Sequence, residues 1–148
     1  MPNYAIHLRT ESSTAAARAD LARRISAVHA RATAAPPSFV QVIVHPIVGE
    51  HFIAGEPVDP RAVFVHGHIR AGRTAEAKHE LIVGLRDAVV AALGVPDDLV
   101  WVYVSEIPAE QMVEFGRVLP APGQEAEWQA ALPDDVRDRL ARLDAGIS

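Results

Sequence analysis

The sequence predicts a two-layer α+β fold, an α/β arrangement of tandem β-α-β units forming a four-stranded sheet with two helices on one face. Two observations carry this. A strand-length apolar run, a long segment with apolar residues at helical spacing, and a second strand-length run follow one another twice along the chain. Each helical segment then meets a breaker, Pro36 with Pro37 in the first case and Gly94 with Pro96 in the second. At 148 residues, 49% apolar and 22% charged, the chain suits one soluble domain with a substantial core. That domain is expected to span residues 1–148, with repeats at about 2–45 and 62–106 and a C-terminal arm at 107–148.

Taken in order, residues 2–8 place Tyr4, Ile6 and Leu8 on one strand face, with Pro2 tolerated only at the start. A helix over 14–33 follows from Ala17, Leu21, Ile25, Val28 and Ala32, and residues 39–45 form a strand. The proline-rich stretch 46–60 reads as a connection with a small edge strand or hairpin around His51 to Ala54. A strand over 63–70 precedes a helix over 74–93 with Leu81, Leu85, Val89 and Leu93 on one side, and a strand over 99–105 closes the second unit. Two right-handed crossovers join most simply into one sheet with both helices on the same face. The opposite face is expected to stay apolar and to be covered by another copy of the chain. Beyond residue 108, residues 112–119 read as a hairpin strand or a broken helical turn, 120–123 as a linker, and 133–143 as a short amphipathic helix for packing or subunit contact.

Composition removes several classes of function. Net charge is −5 and no basic run exists, which argues against nucleic acid and anionic membranes. The absence of cysteine excludes disulfides, thiolate metal sites and a cysteine nucleophile. No stretch approaches the length and apolarity of a membrane span, and the chain is expected to be cytoplasmic. His66 and His68 share a strand face, but no third ligand follows at metal-site spacing, so no metal is expected.

The stretch Phe64 to Thr74 is the first chemical candidate. A strand ends at Arg70, turns at Ala71-Gly72 and enters a helix capped by Thr74, leaving backbone N–H groups, a helix dipole and the guanidinium groups of Arg70 and Arg73 where a small anion would sit. An isolated arginine pair is ordinarily just solvated. His29 lies at the edge of the first helix's buried stripe, where the C-terminal dipole favours the imidazolium form.

Further residues suggest a family. Pro2 behind Met1, followed by two strand-helix-strand units, resembles the tautomerase superfamily, whose members use an amino-terminal proline. Phe64-Val-His-Gly67, Arg70-Ala-Gly-Arg73, Trp101-Val-Tyr103, Glu106-Ile-Pro108, Gln111-Met-Val-Glu114-Phe-Gly-Arg117, Pro120-Ala-Pro-Gly123 and Glu127-Trp128 resemble the cis-3-chloroacrylic acid dehalogenases across nearly the whole chain. The resemblance implies a homotrimer with a cofactor-free site at each terminal proline. By position, the family's catalytic residues fall on Pro2, Tyr103 and Glu114, and its carboxylate-binding residues on His29, Arg70 and Arg73.

Those six residues form a workable set for a small unsaturated carboxylate. Arg70, Arg73 and His29 can grip the carboxylate, and the clamp makes C3 of a conjugated double bond electrophilic. Glu114 can take a proton from water, Tyr103 can orient that water, and protonated Pro2 can deliver a proton to C2. From cis-3-chloroacrylate the adduct collapses to malonate semialdehyde and halide. A free Pro2 amine would instead suit tautomerisation of 2-hydroxydienoates or phenylpyruvate, and hydration of acetylenic acids, with or without decarboxylation, uses the same groups. Either chemistry requires removal of Met1, because an acylated proline nitrogen is not basic. A catalytically silent anion-binding trimer would use the arginines alone. Taken singly, Pro2 is an ordinary second residue, Tyr103 an ordinary core aromatic and Glu114 an ordinary solvated carboxylate. Residues 30–38, Ile69 in place of histidine and Phe115 in place of tyrosine depart from the dehalogenase pattern, chiefly around the substrate.

Overall fold

The structure, a computed structural model, describes residues 2–121 and 123–146. Chain order is β1 (Asn3–Leu8), α1 (Ala15–Thr33), β2 (Gln41–Pro46), β3 (Phe52–Ile53), β4 (Glu56–Pro57), β5 (Val63–Arg70), α2 (Ala75–Leu93), β6 (Val100–Ile107), β7 (Val113–Glu114), β8 (Arg117–Val118), α3 (Glu125–Ala130) and α4 (Asp134–Ala145). The main sheet runs β2-β1-β5-β6. Both outer pairs are parallel, as the two crossovers require, and the central pair β1–β5 is antiparallel. That central pairing sets Asn3 opposite His68, so the start of β1 lies beside the end of β5.

The two repeats share their punctuation. Thr14 and Thr74 each accept a hydrogen bond from a backbone N–H three residues on, at Ala17 and Ala77, both at 3.1 Å. α1 ends on Ala34 at φ 58° and α2 on Gly94 at φ 67°, both left-handed caps. After Pro36 and Pro96 the chain makes one 3₁₀ turn, Pro37–Phe39 and Asp97–Leu99 respectively. Those turns absorb residues the sequence assigned to strands, so β2 and β6 begin at Gln41 and Val100.

Tyr4, Ile6 and Leu8 of β1 and Val63, Val65 and Ile69 of β5 face Leu21, Ile25 and Val28 of α1 and Leu81, Leu85 and Val89 of α2 in one buried cluster. Each such aliphatic side chain contributes about 1.5–3 kcal/mol on burial. Gly67 leaves space for the Tyr4 ring: a Cβ there would stand 2.6 Å from Tyr4 Cε1. The opposite face is not apolar as expected. Cross-strand register sets His45, His7 and Phe64 in one row and Ala5, His66 and Tyr103 in another, with Ser105 accompanying His68. His7 stacks on His45 at 4.9 Å and Phe64 meets Tyr103 edge-on at 5.1 Å. The face is therefore aromatic and imidazole-rich, and Tyr103 on it is 59% exposed.

Two small hairpins complete the picture. β3–β4 turns at Ala54-Gly55 within the proline-rich connection, and β7–β8 turns at Phe115-Gly116 with φ 50° and 77°, which settles residues 112–119 as a hairpin. The arm then forms α3, a helix the sequence reading did not contain, directly after its linker at 120–123; Pro122 of that linker lies outside the described residues. α4 returns to its own chain. Leu140 is buried, and Asp144 accepts from the Ser38 backbone N–H at 2.7 Å and from Ser38 Oγ at 2.9 Å. No described helix is long and apolar enough to cross a membrane.

Candidate active site

Two cavities meet at Pro2. One, of about 320 Å³, is lined by Pro2, His29, Arg70 and Arg73, with Phe39 and Trp128 among its walls. The other, an open groove of about 750 Å³, is lined by Pro2, Asn3, His68, Glu114 and Phe115. Pro2 itself is buried, held at the junction by its carbonyl, which accepts from Gln41 N–H at 3.0 Å. Five of the six residues singled out in sequence thus surround the junction. Tyr103 does not: it stands on the open sheet face and lines neither cavity.

Topology explains the assembly. β1 supplies Pro2 at its start, and the adjacent end of β5 supplies Arg70 before a turn at Gly72, whose φ of 102° suits glycine. Arg73 follows, and its Nη1 donates to the Thr33 carbonyl at 3.0 Å, an orphan acceptor at the end of α1. One guanidinium thereby ties the second repeat's turn to the first repeat's helix. The backbone donors of that turn are not left for a ligand, contrary to expectation. Glu106, paired with Lys78 at 2.8 Å, also lies close enough to the Gly72 and Arg73 N–H groups for them to help lower its carboxyl pKa. Any anion site here belongs to the side chains.

His29 is neutral. Burial, then the nearby Arg73 charge, push its pKa down from 6.5 to about 3, overriding the helix-terminus preference for imidazolium. Its Nδ1 lies 2.7 Å from the Tyr4 hydroxyl, which burial holds far above the usual tyrosine range and therefore protonated. With that hydroxyl as the donor, the imidazole N–H falls on Nε2. His29 can then serve as a neutral hydrogen-bond donor to an anion, a role that needs no net charge.

Two further residues enter the site that the sequence reading did not assign. Arg70, only 13% exposed, donates from Nη2 to Glu125 Oε1, and Glu125 Oε2 accepts from the Gly123 N–H at 2.8 Å. Trp128 donates from Nε1 to the Val118 carbonyl at 2.8 Å and meets Phe39 edge-on, closing one wall of the arginine cavity. Glu127-Trp128 belonged to the resemblance, but neither spacing nor periodicity links residue 125 to residue 70. Among the described residues, no group of three or more His, Asp and Glu side chains could hold a metal ion.

A four-stranded sheet of paired β-α-β units, with a proline just before its first strand and two arginines beside it, is the arrangement the resemblance to the tautomerases implies. Comparison agrees: the family described as "Putative oxalocrotonate tautomerase enzyme" matches residues 1–132. A crystal structure of N1, a member of the cis-3-chloroacrylic acid dehalogenase family, is 37% identical, with a TM-score of 0.89 over 95% of this chain and 99% of that one. Native Ps01740 is 30% identical with a TM-score of 0.70, covering 76% of this chain and 99% of that chain. A fused 4-OT solved as a symmetric trimer is 28% identical with a TM-score of 0.72, over 79% and 94%. Comparison with curated proteins returns no match. The chain therefore belongs to the tautomerase superfamily, and within it to the cis-3-chloroacrylic acid dehalogenase family.

Proposed function

We propose that this protein adds water to small unsaturated carboxylates without a cofactor, releasing halide where C3 carries one, as in the conversion of cis-3-chloroacrylate to malonate semialdehyde. One observation carries the reading: Pro2 sits where an arginine- and histidine-lined cavity meets a groove containing Glu114. A substrate carboxylate in the first cavity, held by Arg73, Arg70 and the His29 N–H, presents its double bond to the Pro2 nitrogen. Glu114 takes a proton from a water in the groove, the water oxygen bonds to C3, and protonated Pro2 delivers a proton to C2. Each charge-assisted hydrogen bond to the carboxylate contributes roughly 1.5–3 kcal/mol. The 3-halo adduct is a halohydrin, which expels halide as its hydroxyl becomes the aldehyde carbonyl.

The reading includes a homotrimer, supported by the trimeric fused 4-OT relative and by the exposed aromatic sheet face. Within one chain Tyr103 is remote from Pro2, so its part in orienting the water calls for Tyr103 of a neighbouring copy. Removal of Met1, which frees the Pro2 amine, is part of the same proposal; Met1 lies outside the described residues. The test is halide release from cis-3-chloroacrylate and hydration of propiolate by protein whose mass shows Pro2 at the terminus. Neither product at high enzyme concentration overturns the proposal.

A second reading is favoured by the burial of Pro2 beside the arginine cavity, because desolvation and positive charge both keep an amine neutral. The free amine would then act as base in tautomerising a 2-hydroxydienoate. Ketonisation that survives Glu114→Gln but not Pro2→Ala selects this chemistry.

A further inference from the structure

The arginine cavity already contains a carboxylate. Glu125 begins α3, lines the cavity together with Arg70 and Arg73, and is fixed at both oxygens, by the Arg70 guanidinium and by the Gly123 N–H. The contact is more than a surface pair, since the Arg70 side chain is only 13% exposed while Glu125 is 45% exposed. The Arg70 hydrogen bond is also the main cause holding the Glu125 carboxyl below its usual range, and the same carboxylate partly offsets the lowering that burial and Arg70 impose on Arg73. Glu125 is thus within electrostatic reach of both cations.

The charge count of the cavity follows from its described lining. Arg70 and Arg73 are cationic, Glu125 is anionic, His29 is neutral, and the remaining side chains, Phe39 and Trp128 among them, carry no charge. Among the side chains one positive charge remains for a ligand carboxylate, the Pro2 ammonium of the hydration reading being engaged at C2. Without Glu125 there would be two, on adjacent arginines that could accept two carboxylates. We propose that Glu125 is a specificity-determining residue, an internal counter-carboxylate on Arg70 that limits this cavity to ligands presenting a single carboxylate. The inference rests on the reading of the cavity as a carboxylate site and adds the ligand class to it. The Arg70 pairing also gives the short α3 an ionic anchor on the cavity rim, so a ligand that brings a second carboxylate meets repulsion from a group that cannot swing away without breaking both of its hydrogen bonds.

The test is calorimetric binding of acrylate, a monocarboxylate, and maleate, whose two carboxylates lie cis on one double bond, to wild-type protein and to Glu125→Gln. Wild type should prefer acrylate. Glu125→Gln should tighten maleate by at least about tenfold, with a much smaller change for acrylate, because removing one like charge at hydrogen-bonding range is worth more than one factor of ten. Glu125→Asp, which keeps the charge, should retain the wild-type preference and serves if Glu125→Gln unfolds. Equal gains for both ligands, or loss of both, overturn the inference by making Glu125 a simple competitor or a support for Arg70. If neither acid binds any of the three proteins, the carboxylate reading of the cavity fails as well, which separates the two failures.

Discussion

Matched positions in the two repeats differ where the site lies. Pro2, before β1, corresponds to Ala62, before β5, and both are buried; His29 near the end of α1 corresponds to Val89 in α2. In the other direction, Arg70 ends β5 and Arg73 follows it, at the positions matched by Thr10 and Ser13 after β1. The helix caps, the 3₁₀ turns and the strand pairings are the same in both halves. Between strand and helix the backbones part, the first half making a 3₁₀ turn at Thr10–Ser12 and the second turning at Gly72 with φ 102°. Each half supplies part of one site, and the antiparallel β1–β5 pairing brings the parts together.

The comparison breaks most visibly at its first pair. Pro2→Ala should lower turnover by roughly 10²- to 10⁴-fold, the range of a general acid or base step, whereas Ala62→Ser should leave turnover within about twofold. Steady-state rates on whichever unsaturated acid is turned over decide it.

His29 and Val89 differ next, through pH. Neutral in the folded chain with a pKa of about 3 against 6.5, His29 makes the unfolded chain bind a proton first on acidification. Its contribution is complete above 6.5 and is lost toward 3, on the order of 3 kcal/mol by pH 4. Urea titrations at several pH values should show a steep acid loss in wild type and a flatter one in His29→Gln.

Arg73→Ala should weaken carboxylate binding by roughly 10- to 100-fold, since a charge-assisted hydrogen bond of about 1.5–3 kcal/mol is removed. The same change leaves the Thr33 carbonyl unpaired, so a smaller drop in melting temperature should accompany it. Ser13→Ala, at the matched position, should leave binding unchanged.

Gly67→Ala should destabilise by about 1–3 kcal/mol, because the new methyl has no room against the Tyr4 ring. The smallest effect separates the two helix caps. Ala34 and Gly94 share a left-handed backbone that costs alanine about 1 kcal/mol more than glycine. Ala34→Gly should therefore raise the melting temperature and Gly94→Ala lower it.

Local signals in the sequence were sufficient for the repeats. The Thr74 cap, the apolar spacing of Leu21 to Val28 and of Leu81 to Val89, and the proline breaks act within a few residues, so the element order could be read directly. Pro2, His29, Arg70, Arg73 and Glu114 were placed by motif resemblance, and the fold gathers them around two adjoining cavities. What escaped depends on contacts distant in the chain. The neutrality of His29 comes from burial under other elements and from Arg73, neither visible in its own helix. Glu125 meets Arg70 across 55 positions of chain, and Glu106 approaches the turn's N–H groups from the next strand. α3 is only six residues long, too short for periodicity to declare it. The mixed character of the open sheet face was obscured because its histidines fall on four positions of three different strands, and only register aligns them.

The missing side chain at Gly67 reaches further than packing. The ring it admits is Tyr4, and the hydroxyl of Tyr4 selects which nitrogen of His29 carries hydrogen. A hollow one methyl wide, in the middle of a strand and facing the helices, therefore acts as a gauge for the tautomer of an imidazole at the cavity. A side chain at residue 67 would press on the Tyr4 ring and, through its hydroxyl, on His29 Nδ1.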